Sequence, residues 1–495
     1  MKYELAVIGG GSAGLSVAAA AAQFGEKVVL FEKGDMGGDC LNSGCVPSKA
    51  LLAAAKAAHA QRSSSEFGIA AVEPQVDYAR VMEHVERVIA TIAPIDSQER
   101  FEKLGVRVVR GTAAFKSPDE LVAAGEKFIA RRIVIATGSR PALPPIPGLK
   151  NVDFLTNETL FKNRVLPQHL IIIGGGPIGL EMAQAHRRLG SEVTVLEAFA
   201  PLAKDDPELA QVVLQALQAE GISIVGNTKI RQVRKSGTAV EVVMENGSVI
   251  SGSHLLVAAG RAANVEGLGL ESGNVAYSNR GIAVDEGLRS TSNRKVYAAG
   301  DVAGGLQFTH VANYHAGLII RNALFRLPIK SRADIIPWVT YTDPELAHAG
   351  LSEPQAKEKF GTRVKVLRWN FAENDRAQTE RQTEGLVKII LGPGGRILGA
   401  GIVGAHAGEL IAVFVLAISQ KVKISTFANL VLPYPTLSEA AKRAAISNYS
   451  GLAQNPLIRR VIGFLKRLGQ KGPWLNPLRP IRLALWLACH QRCCC

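Results

Sequence analysis

Cysteine is scarce in this sequence and is confined to two places. Only six of the 495 residues are cysteine: Cys40 and Cys45, then Cys489 with Cys493, Cys494 and Cys495. A secreted protein that is held together by disulfides has its cysteines dispersed along the chain. The distribution excludes such a framework and indicates that cysteine serves chemistry here.

The sequence also lacks the marks of a nucleic-acid reader and of a secreted chain. It has no zinc-finger spacing and no RNA-binding signature, and no basic leader precedes the apolar stretch from Tyr3 to Ile8. The formal charge of +14 comes mainly from residues 451–495, which hold eight Lys or Arg and no acidic residue. We predict a cytoplasmic protein with no nucleic-acid partner.

The chain is rich in apolar residues and glycine. Its 495 residues correspond to about three domains of roughly 150 residues each. Hydrophobic residues make up 47% of the chain and glycine occurs 49 times, which favours tight turns and close helix-to-strand packing. A chain of this size and composition can bury a large cofactor.

A glycine-rich turn joins the first predicted strand to an Ala-rich helix that reaches Phe24. The turn and the acidic end of the next strand supply candidate cofactor-binding residues: Gly9, Gly11, Ser12, Ala13, Gly14 and Glu32. The glycines permit a tight turn, close approach of backbone to a pyrophosphate and close packing of helix on strand, and the acid accepts a ribose hydroxyl. The pattern predicts a dinucleotide whose phosphates lie at a helix N-terminus.

The same pattern returns later in the chain, with a second set of candidates: Gly174, Gly176, Gly179 and Glu197. Two complete copies predict two bound dinucleotides. An acidic residue at the strand end hydrogen-bonds the 2′-hydroxyl of NAD and repels the 2′-phosphate of NADP, so Glu197 favours NADH. The basic Arg187 and Arg188 nearby leave NADPH as an alternative.

Further candidates lie where predicted strands end. Thr137 and Gly138 follow one strand, and Gly260 follows another of similar pattern, at predicted domain crossings. Asp301 follows a short strand and could hold a flavin ribityl hydroxyl or cap the next turn.

Cys40 and Cys45 are five residues apart. In an ideal helix their Cα atoms would be about 8–9 Å apart, beyond the roughly 7 Å that a disulfide tolerates. Asn42, Ser43 and Gly44 permit a distorted turn that could bring the sulfurs together. We predict a redox-active pair, because strained disulfides are the more easily reduced kind.

Together these motifs resemble the class I pyridine nucleotide-disulfide oxidoreductases, a group that includes glutathione reductase, dihydrolipoamide dehydrogenase and mercuric reductase. The resemblance extends from residue 1 to about residue 450. It depends on both glycine patterns, on Gly-Gly-Asp-Cys-Leu-Asn-Ser-Gly-Cys-Val-Pro-Ser-Lys at residues 37–49, on Ala136-Thr137-Gly138, on Gly300-Asp301 and on Tyr-Pro-Thr-Leu-Ser-Glu at residues 434–439.

The resemblance implies an α/β fold with two Rossmann-like dinucleotide-binding domains plus an α+β C-terminal dimerisation domain. It implies a homodimeric enzyme with FAD and NADH or NADPH as cofactors. The expected limits are residues 1–150 and 270–334 for a discontinuous FAD-binding domain, 151–269 for an NAD(P)H-binding domain, 335–450 for the dimerisation domain and 451–495 for a basic tail.

The resemblance also implies roles for individual side chains. Electrons pass from the nicotinamide through flavin to the cysteine pair, with Cys45 lying against the flavin as a thiolate and Cys40 exchanging with substrate. Lys49 and Glu181 correspond to an ion pair beside the flavin, and Lys49 counts as both a catalytic and a cofactor-binding residue.

One position departs from the disulfide reductases of this family. They carry a histidine that shuttles a proton and is oriented by a glutamate, whereas this chain has Tyr434, with Glu439 following. Tyrosine, with an ordinary pKa near 10, is a poor general base at neutral pH. Mercuric reductases also have tyrosine there, so we predict mercuric-reductase-like reduction of a thiol-bound metal ion or a related acceptor. An NAD-linked dihydrolipoamide dehydrogenase is the alternative.

The C-terminal cysteines also favour a metal ion as the acceptor. Mercuric reductases have a vicinal cysteine pair near their end that delivers metal, and soft thiolates suit soft metals. Cys493, Cys494 and Cys495 are therefore candidate metal ligands, although about fifty additional residues separate them from the dimerisation domain. A structural cluster or a lipidation site is the alternative.

Between Leu457 and Leu468 the tail is predicted to form a basic amphipathic helix. Its apolar residues fall on one arc, and its Arg and Lys residues fall opposite. Such a helix could lie on an anionic membrane or pack on the protein's own surface. We therefore also consider a third class of function, a membrane-peripheral redox partner or metal-binding flavoprotein.

Overall fold

The computed structural model describes residues 2–467, which form two compact units. The first unit contains residues up to 203 together with 217–333, and the second contains 204–216 and the described residues from 334 onward. The four-part division expected from the sequence remains a prediction.

The first half of the first unit is built around one sheet and the helices that cover it. Its elements are β1 (Lys2–Ile8), α1 (Ser12–Gln23), β2 (Val28–Glu32), α2 (Gly38–Asn42), α3 (Cys45–Ser63), α4 (Tyr78–Ile92), α5 (Gln98–Lys103), β3 (Arg107–Arg110), β4 (Ala114–Ser117), β5 (Glu120–Ala123), β6 (Glu126–Ile135), β7 (Ser139–Pro141) and α6 (Asn157–Leu160).

The chain then forms a second parallel sheet and returns to the first. These elements are β8 (His169–Ile173), α7 (Pro177–Leu189), β9 (Glu192–Leu196), α8 (Pro207–Ala219), β10 (Ser223–Val225), β11 (Ile230–Ser236), β12 (Ala239–Met244), β13 (Val249–Gly252), β14 (His254–Val257), β15 (Arg261–Ala263), β16 (Tyr277–Ser278), β17 (Gly281–Ile282), β18 (Val296–Ala298) and α9 (Thr309–Ala323). Residues 207–216 of α8 belong to the second unit.

The first sheet has the order β3-β2-β1-β6-β5-β4, with β18 paired to β6. Strands β3, β2, β1, β6 and β18 are parallel, and β4 and β5 add an antiparallel edge. Val29 and Phe31 face one apolar cluster, whereas Val28 and Leu30 face another beneath α1 and α9. Because both faces are covered, the strands are apolar throughout rather than alternating with polar residues.

The second sheet repeats this arrangement on a smaller scale. Its order is β10-β9-β8-β14, and every pair in it is parallel. A three-stranded antiparallel meander, β11-β12-β13, lies between β10 and β14 in the chain. In each parallel sheet the first strand leads through a glycine turn into a helix, which confirms the two Rossmann-like folds expected from the sequence.

The second unit is an α+β arrangement, as expected. Its elements are β19 (Trp338–Thr340), β20 (Glu345–Gly350), α10 (Glu353–Phe360), β21 (Lys365–Asn370), α11 (Asp375–Glu380), β22 (Leu386–Leu391), β23 (Ile397–Gly404), α12 (Ala407–Leu410), α13 (Ala412–Ser419), α14 (Ile424–Ala428), α15 (Glu439–Ser447) and α16 (Pro456–Arg467). Its five strands form an antiparallel sheet in the order β19-β20-β23-β22-β21.

One predicted element needs correction. The sequence predicts one apolar helix from Glu409 to Ser419, but the structure has two short helices, α12 and α13, that are separated at Ile411. The Phe414 and Val415 N–H groups both donate to the Ile411 carbonyl, at 2.9 and 3.1 Å, and Ile411 has φ −66° and ψ −22°, so the backbone stays helical where the two helices meet. Within residues 2–467, no helix combines the length and the hydropathy that crossing a bilayer would require.

Candidate active site

The first glycine turn brings helix α1 against the end of strand β1. Gly9 has φ +111°, and a Cβ added there would lie 2.3 Å from the Ala136 carbonyl oxygen. A Cβ added at Gly14 would lie 1.8 Å from the carbonyl oxygen of Gly9. Any side chain at either position would therefore force the helix and the strand apart.

The acidic residue at the end of β2 reaches back to this turn. Glu32 accepts hydrogen bonds from the backbone N–H of Gly10 at 2.5 Å and of Gly34 at 2.6 Å. A groove beside the turn is lined by Gly9, Glu32, Thr112 and Thr137, among others. Ser12 and Ala13 form the first turn of α1, whose N–H groups can bind phosphate. These residues fit the FAD half-site expected from the sequence.

The second glycine turn has nearly the same internal geometry. Gly174 has φ +122°, and a Cβ added at Gly179 would lie 1.9 Å from the Gly174 carbonyl oxygen. Glu197 accepts hydrogen bonds from the N–H of Gly175 at 2.6 Å and of Phe199 at 2.9 Å. Gly176 has open space around it, so a ligand could approach the backbone there. The arrangement fits a second dinucleotide.

Cys40 and Cys45 lie on two helices that a sharp break separates. Cys40 is in α2, which ends at Asn42, and Cys45 is the first residue of α3. Gly44 between them has φ −126° and ψ −114°, and a Cβ there would lie 2.9 Å from the Asp39 carbonyl oxygen. This is the distorted turn that the cysteine spacing predicts, and both residues are thiols in this structure.

The two thiols have opposite electrostatic characters. The pKa of Cys45 is lowered to about 6, first by a hydrogen bond from Cys40 and then by Thr309 and the Lys49 charge, which together outweigh the opposing effects of burial and Glu181. The Cys45 Sγ lies 3.5 Å from the Thr309 hydroxyl, at the start of α9. The same thiol–thiol hydrogen bond, together with burial, raises the pKa of Cys40 far above the ordinary thiol value. Near neutral pH, Cys45 carries the negative charge and Cys40 keeps its proton.

Lys49 and Glu181 form the ion pair that the family resemblance implies. The Lys49 Nζ lies 2.8 Å from a Glu181 carboxylate oxygen, which links α3 to α7. Glu181 is buried, with 5% of its side chain exposed, whereas Lys49 is 38% exposed. One turn after Cys45, Lys49 provides a positive charge near the thiolate, and Glu181 holds the ammonium in place.

Arg261 connects three motifs that are far apart in the chain. Its guanidinium lies 2.8 Å from the carboxylate of Asp39, in the cysteine segment, and donates to the Ser139 hydroxyl at 2.7 Å. The Ser139 hydroxyl donates in turn to Asp301 at 2.5 Å. Burial raises the pKa of Asp301, and the Ser139 hydrogen bond and the Arg261 charge oppose this effect. We did not select Arg261, Asp39 or Ser139 from the sequence, although an arginine directly after the strand-end Gly260 is a visible signal.

The segment at Thr137 is held in place by Asn264. The Thr137 hydroxyl donates to the Asn264 carbonyl at 2.7 Å, and the Asn264 amide donates to the Thr137 carbonyl at 2.9 Å. Gly138 has φ +67° and Gly260 has φ +127°, values that favour glycine. Gly260 directly precedes Arg261, and Gly138 directly precedes Ser139, which accepts hydrogen bonds from Arg261.

In the second unit, Tyr434 is paired with Asp375, which none of the sequence motifs contains. Its hydroxyl donates to the Asp375 carboxylate at 2.8 Å, and its side chain is 66% exposed. Glu439 is the first residue of α15 and is half-buried. The carboxylate that orients Tyr434 in this structure is thus that of Asp375.

The C-terminal candidate ligands Cys493, Cys494 and Cys495 lie outside the described residues. In the part of the chain that is described, no group of three or more His, Cys, Asp or Glu side chains could hold a metal ion.

Comparison with known protein families matches almost all of the described chain. The model of the pyridine nucleotide-disulphide oxidoreductase family matches residues 3–316, and the model of that family's dimerisation domain matches residues 336–445.

Two kinds of curated relative are similar over most of the chain. A mercuric reductase from Streptomyces lividans is 37% identical over 463 residues, which cover 91% of this chain and 97% of that protein. A mercuric reductase from Lysinibacillus sphaericus is 36% identical, covering 90% and 82% respectively. A dihydrolipoyl dehydrogenase from Bacillus subtilis is 34% identical, covering 91% and 99%.

Solved structures show the same relationship. The Cu(II) complex of the HOCl-induced flavoprotein disulfide reductase RclA from Escherichia coli superposes with a TM-score of 0.81 at 26% identity, covering 90% of this chain and 99% of that one. LpdA from Mycobacterium tuberculosis gives a TM-score of 0.82 at 26% identity, with the same coverage.

Proposed function

Because this chain belongs to the pyridine nucleotide-disulphide oxidoreductase family, we propose that it reduces a thiol-bound soft metal ion through the Cys40 and Cys45 pair. As a member of that family it is a flavoprotein oxidoreductase that uses FAD and a nicotinamide nucleotide. The dimerisation domain at residues 336–445 supports a homodimer.

The proposed roles of the side chains follow from their contacts. When bound, FAD supplies two-electron transfer between the nicotinamide and the sulfur pair. Cys45 holds negative charge on its Sγ, stabilised by the Cys40 thiol, by Thr309 and by Lys49. Cys40 keeps a proton on its Sγ and is the thiol that exchanges with the acceptor. Arg261 positions the cysteine segment by holding Asp39.

The observation that carries the choice of acceptor is Tyr434. Reduction of a disulfide substrate produces thiolates that must be protonated. A thiolate-bound metal ion instead needs ligands and electrons. The Tyr434 hydroxyl donates to Asp375, and the ordinary pKa of tyrosine makes it a weak base near pH 7. Together with the similarity to mercuric reductases, this favours Hg(II) or another soft ion.

We propose NADH as the electron donor. Both carboxylate oxygens of Glu197 face backbone N–H groups of the second glycine turn and the segment after it, where a ribose would lie. A carboxylate there accepts from a 2′-hydroxyl and repels a 2′-phosphate. Arg187 donates to the Glu220 and Ser191 carbonyls rather than towards this turn, which supports the same choice.

The test is an anaerobic titration of the purified flavoprotein with NADH, followed by absorbance, with one acceptor added afterwards. We expect a long-wavelength thiolate–flavin band after two electrons, and reoxidation by Hg(II) but not by oxidised lipoamide. Cu(II), the ion in the RclA complex, serves as a second metal-ion acceptor. The variant Cys40→Ser, with Cys45 intact, is the control for reoxidation through the pair.

Two outcomes would overturn the proposal. Reoxidation by lipoamide would establish the alternative, a dihydrolipoamide dehydrogenase, which the Bacillus subtilis relative represents. Absence of the band would remove the dithiol mechanism itself. The third alternative, a membrane-peripheral redox partner, depends on the tail rather than on the cysteine pair, and slow turnover with every acceptor would favour it.

A further inference from the structure

Helix α16 lies beyond the part of the chain that the redox function explains. The match to the dimerisation domain ends at residue 445, and α16 spans Pro456–Arg467. It packs against the short turn Ser450–Gln454 that precedes it. Of its described side chains, those of residues 456–466, none is buried. The helix therefore presents its side chains to the surroundings.

These side chains form an apolar face and a cationic face. Consecutive helical residues are about 100° apart, so Leu457, Val461 and Phe464 form one stripe. They are 67%, 40% and 61% exposed. A second, half-exposed apolar stripe of Ile458, Ile462 and Leu465 lies beside them.

The cations lie on the other side of the helix. Arg459, Arg460 and Lys466 are exposed there. No acidic residue occurs between 451 and 495, so neither face contains a negative charge that would pair with these cations internally. The remaining sequence adds four more cations and the two residues Trp474 and Trp486.

Charge decides what can cover this surface. A second copy of the helix would bring another all-cationic segment alongside the first, and like charges repel. A nucleic acid would neutralise the cations but leave Leu457, Val461 and Phe464 in water. An anionic lipid surface satisfies both faces, because its headgroups pair with Arg and Lys and its acyl boundary takes up the apolar stripe.

We propose that α16 is a membrane-surface anchor that lies in the plane of an anionic bilayer, with Leu457, Val461 and Phe464 directed towards the acyl chains. The anchor recruits the enzyme to a surface and takes no part in electron transfer. It is therefore independent of which acceptor the cysteine pair reduces.

The test measures co-sedimentation of the full-length flavoprotein with vesicles of phosphatidylcholine alone or with added phosphatidylserine. We expect binding to the phosphatidylserine vesicles only. Replacing Arg459, Arg460 and Lys466 by Gln should weaken it on the order of a hundredfold, since each cation near an anionic surface contributes about 1 kcal/mol. Replacing Leu457, Val461 and Phe464 by Ser should weaken it by at least about tenfold.

Matched variants elsewhere provide the controls. Arg80→Gln, Arg87→Gln and Lys127→Gln remove three other exposed cations, and Phe67→Ser, Ile69→Ser and Val72→Ser remove three other exposed apolar side chains. Both controls should bind vesicles like the parent, and all variants should keep the parent's NADH oxidation with ferricyanide.

The proposal is overturned if the full-length protein does not sediment with phosphatidylserine vesicles, or if the serine variant binds like the parent. It is also overturned if the serine variant changes the sedimentation coefficient of the free protein but not its vesicle binding. That result would assign the apolar stripe to contact between copies of the chain.

Discussion

The two glycine turns of the first unit have the same inner geometry but different surroundings. In each, a Cβ at the last glycine would lie within 2 Å of a carbonyl oxygen, and a glutamate at the next strand end accepts from the turn. The first turn is covered, because Gly37 bridges to Gly11 and a Cβ at Gly38 would lie 2.7 Å from the Gly11 Cα. At the second turn, Pro177 and Ile178 are exposed.

The corresponding positions of the first helix show the same contrast. Ala13, which corresponds to Ile178, is buried, with 5% of its surface exposed, and lies beside Gly300. Ile178 is 41% exposed, and Phe199, just after the second glutamate, is 73% exposed. We infer that the segments around each turn, rather than the glycine turns themselves, keep the nucleotide at the first turn bound and let the nucleotide at the second turn exchange. The cover of the first turn is the segment that carries Cys40.

The largest expected effect comes from placing the same methyl group in both turns. Gly14→Ala should give protein that has lost its flavin and is several kcal/mol less stable, because the Cβ would meet the Gly9 carbonyl at 1.8 Å. Gly179→Ala should destabilise its turn similarly but keep the flavin, and should lower kcat/KM for NADH by about a hundredfold or more. Flavin absorbance per protein, thermal unfolding and NADH kinetics measure these effects.

Gly11→Ala is the matched control for Gly14→Ala. A Cβ at Gly11 would make only an ordinary contact, 3.8 Å from the Gly38 Cα. Flavin loss in Gly11→Ala with unchanged stability of the flavin-free protein would show that a ligand approaches the turn. Full flavin retention would contradict the assignment of FAD to this site.

The covering of the first turn by Gly37 and Gly38 can be tested next. Gly38 has φ +60°, and a Cβ there would lie 2.7 Å from the Gly11 Cα. Gly38→Ala should therefore push this segment away from Gly11 and lower flavin retention by about tenfold. NADH affinity should not change. If flavin release is unaffected, the cysteine segment is not what retains the nucleotide. Gly25→Ala, also at positive φ but in open space, controls for backbone strain alone.

Removing one charge at each equivalent glutamate should produce smaller and separate effects. Glu197→Gln should lower kcat/KM for NADH by about tenfold and reduce the discrimination against NADPH, because the repulsion of the 2′-phosphate is lost. Glu32→Gln should change flavin affinity and leave the NADH to NADPH ratio unchanged. Equal effects of both changes on that ratio would contradict the assignment of the two sites.

The smallest effect is expected in the pKa of Cys45. Its pKa is lowered to about 6, so the reactive thiolate is present above this pH and is lost as the pH falls through it. Thr309→Val should raise the pKa by roughly 1, since a hydrogen bond to the charged form is lost. Glu181→Gln should lower it, because the Glu181 charge raises the pKa in the parent.

Alkylation of the reduced protein by iodoacetamide at a series of pH values, quantified on the Cys45 peptide, gives these pKa values. The peptide readout separates Cys45 from the C-terminal cysteines. Shifts in the same direction for Thr309→Val and Glu181→Gln would contradict the electrostatic description of the thiolate. NADH binding should be unaffected by Thr309→Val, since the Thr309 hydroxyl contacts Cys45 and not the second glycine turn.

Local signals in the sequence determined both glycine turns, the break between Cys40 and Cys45, the strands around them and the family. The reason is that each of these motifs is contained in a short segment, in which glycine, spacing and apolar pattern act on neighbouring residues. The division of the predicted helix at Ile411 is also local, since it lies within one turn and apolar composition does not reveal it.

Only the tertiary structure decided which distant side chains meet. Arg261 and Asp39 are separated by more than two hundred residues, as are Cys45 and Thr309, and Tyr434 pairs with Asp375 rather than with Glu439 nearby in the chain. The glycine turns look alike in sequence, yet the packing of Gly37 and Gly38 distinguishes them. Contacts of this kind depend on how the sheets and helices bring chain segments together, and no local pattern encodes that.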